Sequence, residues 1–462
     1  MAHRKSYGGT NFLSRTFVTY KNQNGLYDRL AESMSNKIII TMEFKTAYTA
    51  MNETSDLIFL TGRAGTGKST LLTYFRKQTQ KKHVVLAPTG VAALNVKGQT
   101  IHSFFGFHPA ISPSLVRKAF PHALPLFKAL DTIIIDEISM VRADLLDCID
   151  KALRLNRERP REPFGGVQMI FIGDLYQLPP VVTSDETYRF QSEYASPYFF
   201  SAYVMEGLQP NIIELQKVHR QKESSFIELL DRLRTDRVTP KDIGIWNSRH
   251  DPSFDPRQEP DCIHLTTTNK SAKARNDYEL KQLPGKTWKL KAHTIGELPD
   301  RRMPSEELLT LKEGARIMFT INDPDRRWVN GTLGTITRIQ KKGLSKSPAL
   351  EVRLDDEKEV IVTPYKWDMF EYAHNGESIE EAVVGSYTQY PITLAWAVTI
   401  HKGQGKTFDR VLVDIGWGTF AHGQLYVALS RCTTFNGLVL LKPFRTKDVI
   451  LDQTVVDFMK QS

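Results

Sequence analysis

Four short apolar runs constrain this chain more than any other feature: "DLIFLTG" (56–62), "HVVLAPTG" (83–90), "DTIIIDE" (131–137) and "QMIFIGD" (168–174). Each is apolar without alternation and closes on glycine, threonine or an acid. Stretches of helical spacing separate them, "KSTLLTYFRKQ" being the clearest. A strand that is apolar on both faces must be covered on both faces, which predicts an α/β fold around a parallel sheet. Ligands in such sheets gather beyond the carboxyl ends of the strands. Thr61-Gly62, Pro88-Thr89, Asp136-Glu137 and Gly173-Asp174 are therefore expected along one edge.

A second α/β series begins near "IIELQKVHRQ" and continues through "CIHLTTTN", "VTIHKGQG" and "RVLVDIG". Between its parts, residues 332–388 change texture. "TLGTITRIQ", "ALEVRLDD" and "KEVIVTPYKW" alternate with period two, which predicts antiparallel strands of a small barrel inserted into the second unit. A chain of 462 residues accommodates about two to four domains.

The turn after the first run carries the chemistry. "GRAGTGKS" (62–69) fits the phosphate loop G-x-x-x-x-G-K-[ST] and lies between a strand and a helix. Its glycines let backbone N–H groups turn inward around phosphates, and the helix start adds its positive dipole end. Lys68 would reach the β- and γ-phosphates of ATP, and Ser69 would ligate Mg²⁺. Asp136 would hold the metal through its water shell, and Glu137 would act as general base on the attacking water. Such loops and acids serve many ATPases. The candidates for a cationic clamp on the γ-phosphate are Arg220 in "VHRQ" and Arg431 in "ALSR". If both reach the ATP, the nucleotide lies between two units of one chain. Gln177, in "GDLYQLPP", is neither base nor nucleophile; it is read as a γ-phosphate sensor whose position two stiff prolines carry onward.

The net charge of +9 is dispersed and suits a polyanionic partner. Cys148, Cys262 and Cys432 form no ligand pair, so neither a disulfide framework nor a cysteine zinc site is expected. No apolar stretch reaches the ~18 residues of a membrane helix. Residues 1–36 mix Arg4, Lys5, Arg15, Lys21 and Arg29 with Asp28 and Glu32, without an apolar signal core, and read as a tethered basic arm, with a transit peptide as the alternative.

The motif set "GRAGTGKST", "LAPTGVAALNVKGQTIHSFF", "IIIDEISMV", "FGGVQMIFIGDLYQLPPV", "ELQKVHRQ", "AVTIHKGQGKTFD" and "LYVALSR" occurs in this order and resembles superfamily 1, class B DNA helicases. The petite-integration-frequency (PIF) family is the nearest in pattern, with RecD-type helicases next. The resemblance covers about residues 40–445. It implies two RecA-like P-loop NTPase domains: a first core at 41–210 with a small wedge insertion at about 105–128, and a second at 211–331 and 389–445. An SH3-like β-barrel insertion at 332–388, an N-terminal extension at 1–40 and a tail at 446–462 complete the expectation. It also implies ATP and Mg²⁺ as cofactors and 5′-to-3′ translocation on single-stranded DNA with unwinding of forked duplex DNA.

Gly62, Gly65, Thr66, Gly67, Lys68, Ser69, Thr70 and Gly405 fall on nucleotide positions. Lys68, Glu137, Gln177, Arg220 and Arg431 fall on catalytic ones, and Ser69 and Asp136 on the metal. A DNA track is expected from residue types that grip a backbone and stack bases: Thr89, Gly90, Asn95, His102, Ser103, Phe104, Pro179 and Val181 in the first core, and Thr267, Asn269, His401, Lys402 and Gln404 in the second. With both arginines in cis, a monomer suffices. G-quadruplex and RNA–DNA hybrid substrates stay open, as do a nuclease-complex motor subunit of RecD type and an NTP-gated clamp. The compartment follows the host: cytoplasmic if bacterial, nuclear or mitochondrial if eukaryotic. The family's adenine-reading glutamine has no counterpart in "EFKTAYTAMNETSD", which leaves base selectivity open, and Gly403 stands where a serine is common.

Overall fold

Five strands that are buried from end to end, or nearly so, build the first sheet. In the computed structural model, which describes residues 41–460 apart from 109, 183, 257–258, 260–261, 297–302, 304, 342–346 and 375–378, these are β1 (Ile58–Gly62), β2 (His83–Ala87), β3 (Gln99–Thr100), β4 (Thr132–Ile135) and β5 (Gln168–Ile172). A sixth, β6 (Asn211–Leu215), pairs with β1 over its full length. The order β3-β2-β4-β5-β1-β6 is parallel throughout. The first core therefore extends past the expected boundary at 210: "NIIEL" belongs to the first sheet, because its apolar residues complete the cover of β1. The expected extension at 1–40 lies outside the described residues.

The next elements are β7 (Cys262–Thr266), β8 (Trp288–Lys291), β9 (His293–Gly296), β10 (Leu308–Leu311), β11 (Arg316–Phe319), β12 (Leu333–Gln340), β13 (Ala349–Leu354) and β14 (Glu359–Val362). They are followed by β15 (Tyr365–His374), β16 (Ile379–Gln389), β17 (Ile392–Leu394), β18 (Ala397–Thr399), β19 (Arg410–Asp414) and β20 (Leu438–Leu440). The second core is the parallel sheet β18-β7-β19-β20. Helices Ser224–Arg234 and Gln424–Leu429 pack on it through Phe226, Leu230, Leu233, Leu425 and Leu429.

The alternating region folds as predicted into antiparallel strands, but it is wider than 332–388. The sheet β14-β13-β12-β11-β17 recruits β11 and β17 from outside that range. The hairpin β15–β16 adds β9, and β8 pairs with β10. Ile317, Phe319, Ile336, Leu350, Val352 and Ile392 fill a separate core there.

Two further segments locate the site. The insertion near 105–128 is tied to helix Ala143–Arg157: Lys151 Nζ donates to Pro113 O at 2.7 Å, Ala119 N to Asn156 Oδ1 at 2.8 Å. Phe120 is exposed there, stacked on His122. The expected tail contains a helix, Gln453–Lys460, which returns to the first core. Val455 is buried in that core and Phe458 stacks on Phe200 with centroids 4.2 Å apart.

Candidate nucleotide site between the two cores

The phosphate loop has the conformation that its glycines permit. Gly62, Gly65 and Gly67 have φ of 146°, 81° and 95°. A Cβ on Gly62 would stand 2.5 Å from Leu215 O, and one on Gly65 would stand 2.6 Å from Arg220 Cβ. Glycine at 65 thus lets the Arg220 segment close onto the loop, where His219 N donates to Gly65 O at 2.9 Å. Thr66 is buried and donates to Arg63 O. Lys68 opens helix Lys68–Gln78, and its Nζ donates to Gly62 O at 2.6 Å and Arg63 O at 3.1 Å. Burial pushes its pKa down against the pull of Asp174 and Glu137. Ser69 and Thr70 are exposed in the first helical turn.

Asp136 and Glu137 follow β4. Glu137 has φ 53°, a left-handed conformation that costs an ordinary side chain roughly 1–2 kcal/mol. Burial, with the neighbouring Glu137 charge, raises Asp136 to about 7, and burial raises Glu137 against Lys68 and Arg431. A divalent cation beside Ser69 and Asp136 would relieve the repulsion between the two acids, and such sites need few protein ligands because Mg²⁺ keeps its waters and the substrate's phosphates. Those residues fit the ion. Among the described residues no cluster of three or more His, Cys, Asp or Glu offers a metal cage.

The second core supplies the cations. Arg431 is 1% exposed. It donates to Val427 O and Ser430 Oγ at 2.8 Å each, and to Lys406 O at 3.4 Å. Arg220 donates to Ser430 O and Gly405 O at 3.3 Å. Burial and the neighbouring Arg220 bring Arg431 down to about 9. Two guanidiniums held side by side on neutral oxygens make a pocket that favours a polyanion. Gln221, next to Arg220, also spans to Ser430 O and Cys432 O, and Tyr426 Oη receives Ala64 N at 3.1 Å.

Lys68, Asp136, Glu137, Gln177, Arg220 and Arg431 therefore come together from both sheets. Gln177 is 7% exposed; its Nε2 donates to Asp174 Oδ2 at 3.1 Å, and its Oε1 accepts from Gln404 Nε2 at 3.3 Å.

This order of sites has known counterparts. The PIF1-like helicase family model matches residues 39–242. A relative from Campylobacter jejuni, named ATP-dependent DNA helicase Pif1, is 30% identical over 88% of this chain and 95% of its own. This chain belongs to the PIF1-like helicase family. Among solved structures, Bacteroides sp. Pif1 in complex with ADP-AlF4 superposes with a TM-score of 0.83 at 34% identity, covering 92% of this chain and 97% of that one. Bacteroides Pif1 bound to ssDNA gives 0.66 at 35% identity over 92% and 97%.

The residues expected on a family DNA track divide into groups. Thr89, Asn95, Asn269 and Lys402 are exposed, and Gly90, His102, Thr267, His401 and Pro179 are half-buried. Val181 is 62% exposed. Thr89 and Ser103 partly serve their own helix starts, since Thr89 Oγ1 accepts from Ala92 N and Ser103 N donates to Thr100 Oγ1. Phe104 leans edge-on against Phe105 and Phe127 at the rim of the first core. Asn95 Oδ1 accepts from Asn330 Nδ2 at 3.0 Å, which links the first core to the loop between β11 and β12.

Gln404 lies at the nucleotide side: its amide donates to Glu137 Oε2 at 3.1 Å as well as to Gln177. Sequence reading expected Asp174 along this edge but gave it no role in the site, and it missed Arg234, Tyr426 and Trp417. The Trp417 ring is 99% exposed beyond β19, with Lys442 Nζ 5.1 Å from its centroid. A tryptophan three residues past an apolar strand is a readable signal; nothing in "LLDRLRTD" marks Arg234.

Proposed function

We propose that this chain is an ATP-dependent DNA helicase that moves 5′ to 3′ on single-stranded DNA, with Mg²⁺ at Ser69 and Asp136. One observation carries the reading: two arginines of the second core, Arg431 buried and Arg220 half-buried, face the phosphate loop and acids of the first within one chain. Hydrolysis sited between two cores makes their separation depend on the γ-phosphate. Lys68, Arg220 and Arg431 offset the phosphate charge, which can be worth ~10³–10⁵ in rate for an arginine finger. Glu137, its pKa raised by burial, accepts the proton of the attacking water. Mg²⁺ held by Ser69 and Asp136 would supply further neutralisation of the phosphate charge. Gln177 senses that phosphate, and Pro179 and Pro180 lead from it to the exposed Val181.

Thr89, Asn95, Thr267, Asn269, His401 and Lys402 hold the DNA backbone, and the antiparallel region serves as the SH3-like insertion that directs it. Melting costs ~1.4 kcal/mol per base-pair step, small enough for one closure to advance about one nucleotide. A monomer carries every residue of the cycle. The test is unwinding of forked duplexes with ATP and Mg²⁺. Forks with a 5′ single-stranded tail should open. Opening of 3′-tailed forks alone overturns the polarity, and DNA-stimulated hydrolysis with no strand separation points instead to a clamp.

A further inference from the structure

Arg234 ends helix Ser224–Arg234, whose apolar side packs into the second core. Its guanidinium crosses to the first core. Nη2 and Nε both donate to Asp174 Oδ1, at 3.0 and 3.3 Å. The side chains of this pair are 5% and 0% exposed. The guanidinium plane also covers the Tyr176 ring at 4.4 Å, and Nη1 lies 3.5 Å from Glu214 Oε1 on β6. A buried ion pair is weak evidence for stability, because desolvation opposes the attraction, so its retention asks for another reason. Burial alone would raise the Asp174 carboxyl; Arg234 and Lys68 outweigh it and hold the group below its ordinary range.

The reason lies on the other oxygen. Asp174 Oδ2 accepts from Gln177 Nε2, so the Gln177 amide has only one orientation compatible with an ionised Asp174. That orientation turns Oε1 to Gln404 Nε2, which also donates to Glu137. The links run Arg234, Asp174, Gln177, Gln404, Glu137 and pass between the cores three times. Tyr176 and Gln177 are further held by Gly423, where a Cβ would stand 2.3 Å from Tyr176 O.

We propose that Arg234 is a positioning residue for hydrolysis: by anchoring Asp174 it sets the direction of the Gln177 amide, so movement of the second core reaches the general base through this relay. The inference rests on the helicase reading above only in taking Gln177 as the phosphate sensor.

A double-mutant cycle on the full chain tests it. Arg234→Lys keeps the charge but loses the two-nitrogen fork and the flat face over Tyr176. Asp174→Asn keeps the shape but must offer an N–H to either Arg234 or Gln177. Each should lower kcat for ATP about tenfold, within the range seen for residues that carry coupling, while KM for ATP changes less than about threefold. In a Gln177→Ala background the same substitutions should cost no further kcat.

Wild-type kcat in both variants overturns the proposal. So does an undiminished loss in the Gln177→Ala background, or a parallel fall of kcat, ATP affinity and melting temperature, which marks a mere staple between cores. The cycle is run with and without an oligo-dT strand. A wild type that the strand does not stimulate sinks the helicase reading, yet the DNA-free cycle still decides for or against Arg234.

Discussion

Arg431 is buried beside Arg220, and its nitrogens reach carbonyl and hydroxyl oxygens, with no carboxylate within ion-pair distance among the described residues. A buried charge with no directly bonded counter-charge lowers stability, and here burial and the neighbouring Arg220 lower its pKa against the pull of Tyr426, Glu137 and Asp174. Function and stability should therefore part at this residue. Arg431→Met is expected to lower DNA-stimulated hydrolysis by ~10³ or more. Its nucleotide-free melting temperature should stay level or rise, as when a buried ion gives way to a packed apolar side chain. Calorimetry beside a steady-state assay checks both; a lower melting temperature contradicts the argument. Glu137 follows the same logic in its backbone, since its strained φ is kept where the carboxylate must face Lys68.

At the scale of elements, the "GDLYQ" turn after β5 is gripped from the second core. Gly423 has φ 67°, and a Cβ there would meet Tyr176 O at 2.3 Å and Gln177 O at 2.7 Å. Gly423→Ala should destabilise the protein by about 1–3 kcal/mol, seen in urea melts, because both the conformation and the close approach exclude a methyl group.

One residue earlier, His422 Nδ1 accepts from Asp452 N at 2.9 Å and Nε2 lies 2.7 Å from Leu175 O. Asp452 N–H can only donate, so the proton sits on Nε2 and the ring is neutral. Burial lowers its pKa, with Leu175 O and Asp452 opposing. The unfolded chain then binds the proton more readily than the folded one. Stability is full above the ordinary histidine pKa of ~6.5 and is lost as pH falls below it. Melting curves should shift down from pH 7 to pH 5, and His422→Gln should flatten part of that slope; an unchanged slope contradicts the assignment.

Over the whole molecule, contacts beyond the nucleotide cleft also tie distant segments together. The C-terminal helix crosses back so that Phe458 stacks on Phe200 and Val455 enters the first core. Asn330 reaches Asn95 from the antiparallel region. Phe458→Ala should cost about 2 kcal/mol by chemical denaturation, less than the ~3–5 of a fully buried ring because Phe458 is half-buried. A change within error would mean that the helix is an ornament rather than a strap. The strap also explains why a boundary at 446 could not be read as a domain edge: "QTVVDFMK" has an apolar face, but no local feature says which core receives it.

The local grammar of the chain was enough for the phosphate loop, the parallel strands that present it and the acids after β4. Each depends on neighbours within one strand–turn–helix unit, where glycine, hydrophobic period and strand ends act directly on the backbone. The antiparallel texture at 332–388 was readable for the same reason, while its extent was not, because β11 and β17 join by pairing rather than by pattern. The placement of Gln404 against Glu137, the Arg234–Asp174 pair across 60 residues and the neutral state of His422 came from tertiary structure alone. Whether a polar side chain is solvated or buried against one partner is decided by packing between distant segments, and a single sequence carries no local mark of that choice.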